Sequence, residues 1–195
     1  MKARRVKGLD PAGPLVENLE RIVRVRLGEL LAFMPRAGDP GQVEALHDMR
    51  IAAKRLRYIL EIAHPCFGDY ARTAVNRVKD LQELLGELHD CDVQSIELEA
   101  FLRDLIAEDA LALALAAEGM DDLAPDALRV ARHHDDHAGV AALLVYIRAR
   151  RRVLFGAFER LWTDFERSGF AARLEYAITE RPAPSPPRLP DCEPA

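Results

Sequence analysis

Aromatic residues are scarce in this chain of 195 residues, at 6%, and so are the β-branched runs from which strands are built. That argues against a sheet-based core, while the abundance of leucine and alanine favours helices throughout. Cysteine is nearly missing too. Cys66, Cys91 and Cys192 form an odd set without CxxC spacing, which argues against a disulfide framework and against a zinc site. There is no long hydrophobic run: the longest, Ala138 to Ile147, is half a membrane span, and the basic N-terminus MKARRVKGLDPAG leads into no apolar signal core. A soluble, cytoplasmic protein that does not enter a membrane is expected. Walker loops and GxGxxG turns are lacking, and none of Ser95, Ser168 and Ser185 stands in a glycine-rich turn. Catalysis has little to rest on, so no catalytic residue, no cofactor and no metal are expected.

An excess of positive charge is lacking as well. With 27 basic against 32 acidic residues the net charge is -5, so the whole molecule has no reason to attract an anion. The balance hides segregation. Arg50, Lys54, Arg55 and Arg57 form one basic cluster and Arg148, Arg150, Arg151 and Arg152 another, whereas Glu97 to Asp126 is mainly acidic.

What is present is helical periodicity. At 49% hydrophobic content the chain can bury one sizeable core, and a single domain over 1–180 is expected. Apolar residues from Leu15 to Met34 recur at helical spacing, with Pro35 as the stop. Asp39 followed by Pro40 signals the start of a second helix, to end at about His64 before Pro65. Asp69 is placed to cap a third, carrying Val75, Val78, Leu81, Leu84, Leu85 and Leu88. A break is expected at HDCDVQS, where several residues prefer turns and caps, then a fourth helix from about Val93 to Ala117. An acidic connection, a short helix through Arg132, a long helix over Val140 to Phe165 and a shorter one after Gly169 complete the reading. The tail RPAPSPPRLPDCEPA (181–195) reads as disordered. The expected architecture is an all-α antiparallel bundle of one four-helix unit with extra short helices.

The second helix carries the informative pattern. At about 100° per residue, His47, Arg50, Lys54 and Arg57 fall within about 80° of one another, opposite the seam of Met49, Ala52, Ala53, Leu56, Ile59 and Leu60. Ile51, Tyr58 and Ile62 border the stripe on its far side, which suggests a groove. Cations gathered in a partly dry groove repel one another unless an anion answers them. A solvated face of snorkelling side chains is the plainer explanation. The mixture of arginine forks, a mobile lysine charge and a histidine suits phosphate oxygens better. On the next helix Lys79, Gln82, Gly86 and His89 share a face, and mid-helix Gly86 suggests close approach of a helix or a ligand. Arg21 and Arg24 share a non-core edge of helix one, and Arg148 and Arg151 flank the last apolar stripe.

The stretch ALHDMRIAAKRLRYILEI followed by VKDLQELLGELHDCDV closely resembles the CHAD family, helical domains named for their histidines. Their signature is a His, Arg, Lys/Arg, Arg stripe on one helix and an LG followed by a His/Arg/Asn-Asp turn on the next. The likeness is strong over about 44 to 93, and looser over helix one and AALLVYIRARRRVLFGAFERLWTDF. It implies a helical bundle whose basic groove binds inorganic polyphosphate, in proteins that associate with polyphosphate granules or act beside triphosphate-handling enzymes. By motif position the ligand contacts would be His47, Arg50, Lys54, Arg57, Lys79 and His89. Members of the family typically carry the four-helix unit twice, whereas the stripe occurs here once. Pairing of two chains about a two-fold axis would rebuild the pair of units.

Two other classes of function compete. The dipeptides His47-Asp48 and His89-Asp90 invite a metal-dependent phosphohydrolase, although three cations share His47's stripe and Asp48 points about 100° away from it. The donors of HHDDH, His133 to His137, are numerous enough for a metal, but they lie in a connection, where solvated turn residues are the usual explanation. An RNA or acidic-protein binder would keep the groove and change the ligand, yet stacking aromatics are limited to Tyr58.

Overall fold

The computed structural model describes residues 2–119, 121 and 127–180. The proline-rich tail 181–195 and most of the acidic DDLAPD connection lie outside the described residues. Helix α1 spans Leu15–Leu31, α2 Met34–Ala37, α3 Val43–Ala116, α4 Asp136–Arg167 and α5 Phe170–Thr179, with a 3-10 turn at Ala127–Val130. No strand occurs among the described residues.

The 74-residue helix α3 is interrupted at Gly68, whose φ of 76° and ψ of -167° are not helical. His47 and His89 stand with ring centroids 4.5 Å apart, where a straight helix would separate them by about 63 Å at 1.5 Å per residue. The chain therefore reverses at Gly68, and α3 is two antiparallel arms, 43–67 and 69–116. With α1 and α4 they are the four long helices of the bundle. Among the described residues α2, α5 and the 3-10 turn are additions to it.

Each long helix is explained by its apolar spacing. Leu19, Val23, Leu27 and Leu30 bury one face of α1, while Leu15, expected on the same stripe, is 67% exposed. The first arm buries Leu46, Met49, Ala52, Ala53, Leu56, Leu60 and Ala63, and the second Val78, Leu81, Leu85 and Leu88. Phe155, Phe158, Trp162 and Phe165 of α4 and Phe170 and Leu174 of α5 complete the same core. Gly169 turns α4 into α5 with φ of 64°, a left-handed position that glycine takes without penalty. Arg77 of the second arm donates 2.7 Å to Ser168 Oγ, pairs with Asp164 and covers the Phe165 ring at 4.6 Å, fixing this corner.

Three expected boundaries move. Pro35 does not end a helix but stands in the first turn of α2, where a missing N–H is no loss. The second helix begins at Val43 instead of beside Asp39. Asp39 Oδ1 accepts the Gly41 N–H at 2.8 Å and its carbonyl accepts that of Gln42 at 3.0 Å, so it shapes the preceding turn. Pro65 is contained in the first arm, whose reversal waits three residues for Gly68. HDCDVQS is helical throughout. Asp92, within it, is held by Arg151 of α4, and that tertiary tie overrides the local turn preference.

Candidate anion site on the two arms of α3

The first arm presents His47, Arg50, Lys54 and Arg57 along the side away from its buried seam, as their spacing of three, four and three requires. The second arm brings its own polar edge alongside. His47 Nδ1 is 3.3 Å from His89 Nδ1. Arg50 lies across Gly86, where an added Cβ would be 3.6 Å from Arg50 Nε. Both contacts obey one antiparallel register, which continued down the arms sets Lys54 level with Gln82 and Arg57 level with Lys79. The result is a ladder of rungs, each about one helical turn from the next and together about 15 Å long at 1.5 Å per residue.

Among the described residues two acidic side chains pair with the ladder cations. Arg57 is 3.3 Å from Glu61 and Lys79 is 3.7 Å from Glu83, both one turn along their own arm. The Lys79–Glu83 pair is exposed and contributes little, whereas the Arg57 side chain is only 17% exposed. Arg57 and Lys54 also lie over the Tyr58 ring, at 4.8 and 5.7 Å. Tyr58 and Ile62 are exposed, so the apolar border on that side is an open ledge. Buried polar atoms at the ladder, Arg50 Nε, Arg57 Nε and Gln82 Oε1, have no hydrogen-bond partner among the described residues, Arg57 Nε lying near Glu61 only as an ion pair. A buried donor or acceptor left unpaired is costly, so these atoms are open to a further partner. Gln82 belongs with the candidate contacts for this reason. Its place on the polar edge was readable in the sequence, its lack of a partner was not.

His89 is held below its ordinary value of 6.5, first by burial and then by the neighbouring His47 and Arg50, with Asp90 and Asp92 pulling the other way. The two His-Asp dipeptides thus meet through their histidines. Among the described residues no group of three or more His, Cys, Asp or Glu is placed to hold a metal ion.

The remaining expected contacts have partners elsewhere. Arg21 donates 2.8 Å to the Gly8 carbonyl and lies 3.9 Å from Glu17. Arg24 reaches Glu20 at 3.0 Å and Thr179 at 3.2 Å, tying α1 to α5. Arg148 pairs with Glu99. Arg151 pairs with Asp92 and donates 2.9 Å to the Pro40 carbonyl, locking α4 beside the His89 end of the ladder. The HHDDH segment folds onto the far end of the second arm. His133 Nε2 is 3.2 Å from Glu108, the backbone N–H of His133 donates to Asp109 Oδ1 at 3.1 Å, and His137 Nε2 is 3.2 Å from the buried Asp109.

No helix among the described residues is long and apolar enough to cross a membrane. No curated protein and no solved structure matches the chain. The family model of the CHAD domain matches residues 3–99, a span that includes α1, α2 and both sides of the ladder. Through that segment the chain belongs to the CHAD domain family.

Proposed function

We propose that this protein binds inorganic polyphosphate along the α3 ladder and performs no chemistry on it. CHAD domains are associated with polyphosphate in general, and the observation that carries the reading here is the linear order of the cations. A compact anion needs donors converging on a point. Here His47 with His89, Arg50, Lys54, and Arg57 with Lys79 follow one another along about 15 Å of helix, which suits a chain with a charge on every unit. Arg50 and Gln82 offer unsatisfied groups to it, the amide turning to present its N–H₂. Arg148 and Arg151, together with Arg21 and Arg24, keep their present carboxylate partners and brace the helices instead.

In this reading the protein works in the cytoplasm, at polyphosphate granules, and two copies pair about a two-fold axis to present two ladders. Ile96, Phe101, Leu143 and Tyr146 are exposed on the outer parts of the second arm and α4, and offer such a pair an apolar contact. A single-chain mass by light scattering at micromolar concentration would remove the pairing from the proposal.

The test is affinity for long-chain polyphosphate across a salt series with chelator present, with RNA of equal charge as competitor. Binding that weakens steeply with salt and resists RNA is expected. Arg50→Ala and Arg57→Ala should each lose about 1.5 to 3 kcal/mol, the worth of a charged hydrogen bond. Binding that appears only with a divalent ion, or that RNA displaces equally well, would overturn the reading.

A further inference from the structure

We infer that anion binding at the ladder is coupled to uptake of a proton by the His47–His89 pair, so that the site fills more readily as the surroundings acidify. The inference rests on the polyphosphate reading and adds its regulation. Its basis is the 3.3 Å approach of the two Nδ1 atoms.

A neutral imidazole has one N–H and one bare nitrogen. Two Nδ1 atoms at this distance form a hydrogen bond only when one carries hydrogen and the other accepts. Protonating both rings places two N–H groups head to head, with two charges on rings whose centroids are 4.5 Å apart. Two charges this close repel, so the ligand-free pair resists its last proton.

The groups facing the pair reinforce this. From the first arm come His47 itself and the cationic Arg50, both of which disfavour charge on His89, as does burial. On the second arm Asp90 and Asp92 favour it. Asp92, however, is already paired with Arg151 from α4, which itself is anchored to the Pro40 carbonyl. The surroundings thus hold back a proton that an added anion would welcome.

A phosphate chain laid on the ladder reverses the balance. Its negative oxygens accept N–H bonds from an imidazolium, and the Nδ1–Nδ1 bond gives way to two N–H···O bonds. The balanced step is neutral or singly protonated pair, plus one proton from solvent, plus polyphosphate, giving the more protonated pair bound to polyphosphate. No other bond is made or broken. By linkage, affinity then rises as pH falls through the range in which the pair titrates.

The experiment is titration calorimetry of the full chain with long-chain polyphosphate near pH 7, in two buffers of very different ionisation enthalpy. Long chains make the titrating end groups negligible. The binding heat should differ between buffers by an amount corresponding to uptake of a fraction of a proton up to one, and His89→Gln should bind with a smaller difference. Equal heats in both buffers, with saturable binding, would overturn the coupling. So would a buffer dependence unchanged in His89→Gln, since the proton would then go elsewhere. Should that variant fail to fold, the histidine ring signals of the unaltered protein serve instead. The His89 titration must move to higher pH on adding polyphosphate, and an unmoved titration in the bound state overturns the coupling. Absence of binding at every pH overturns the polyphosphate reading itself, and the coupling with it.

Discussion

Arg151 and Asp92 join α4 to the second arm of α3 in a salt bridge that is largely closed to water, with side chains only 16% and 10% exposed. The same guanidinium donates to the Pro40 carbonyl ahead of the first arm, so one side chain gathers three segments around the His89 end of the ladder.

Removing one partner of such a bridge leaves the other's charge poorly solvated. Arg151→Met and Asp92→Asn are each expected to lower stability by about 2–4 kcal/mol, and the double variant to lose clearly less than the sum. Urea unfolding of the four proteins measures the coupling. Additive losses would mean the bridge does not act as a unit.

Gly68 reverses α3 with φ of 76° and ψ of -167°, a region essentially closed to other residues. Gly68→Ala should therefore lose about 1–3 kcal/mol. Gly86 presents the opposite case. It lies within the regular helix of the second arm, and an added Cβ would meet Arg50 Nε at an ordinary contact distance of 3.6 Å. Gly86→Ala is expected to gain about 0.5–1 kcal/mol from helix propensity alone. Thermal melts of the two variants should shift in opposite directions, and a loss of stability in Gly86→Ala would show that close approach, not tolerance, governs the site.

The ligand-free protein should weaken on mild acidification. The unfolded chain protonates His89 at its ordinary 6.5 while the folded one holds it lower. Between those two values the unfolded state binds more protons, so stability falls as pH drops through the window, and His89 adds no pH dependence above 6.5. The urea midpoint should decline from about pH 7 to 5, with a smaller decline in His89→Gln. Identical declines would assign the effect to other groups.

Cys91 is buried, and burial pushes its thiol up from the ordinary value, whereas Cys66 is partly open. With Cys192 replaced by serine, one equivalent of a thiol reagent should be taken up by the folded protein at Cys66, and Cys91 should react only on unfolding. Equal rates at the two positions would place Cys91 in reach of solvent.

The ladder was half legible in the sequence. His47, Arg50, Lys54 and Arg57 share a face because of the helical period alone, and Lys79, Gln82, Gly86 and His89 likewise. What periodicity could not supply was the register between the arms. That depends on Gly68, and Pro65 was the louder signal three residues earlier. The continuity of the second arm through HDCDVQS was hidden for a related reason. Asp90, Asp92 and Ser95 favour turns when considered locally, and the arginine that holds Asp92 lies 59 residues further on. The scaffolding roles of Arg21, Arg24, Arg148 and Arg151 were equally beyond a single-helix view, because each depends on where a distant segment lands.

All ladder residues come from one uninterrupted hairpin between His47 and His89, closed by a turn at Gly68. Contacts between its arms close short loops near the turn and longer ones only towards the ends, so the entropic penalty grows slowly as the arms zip together. Arg57 with Lys79 therefore closes the shortest loop of the ladder and the two histidines the longest. Arg151, which ties the His89 end of the hairpin to α4 and to Pro40, fastens it where that loop is longest.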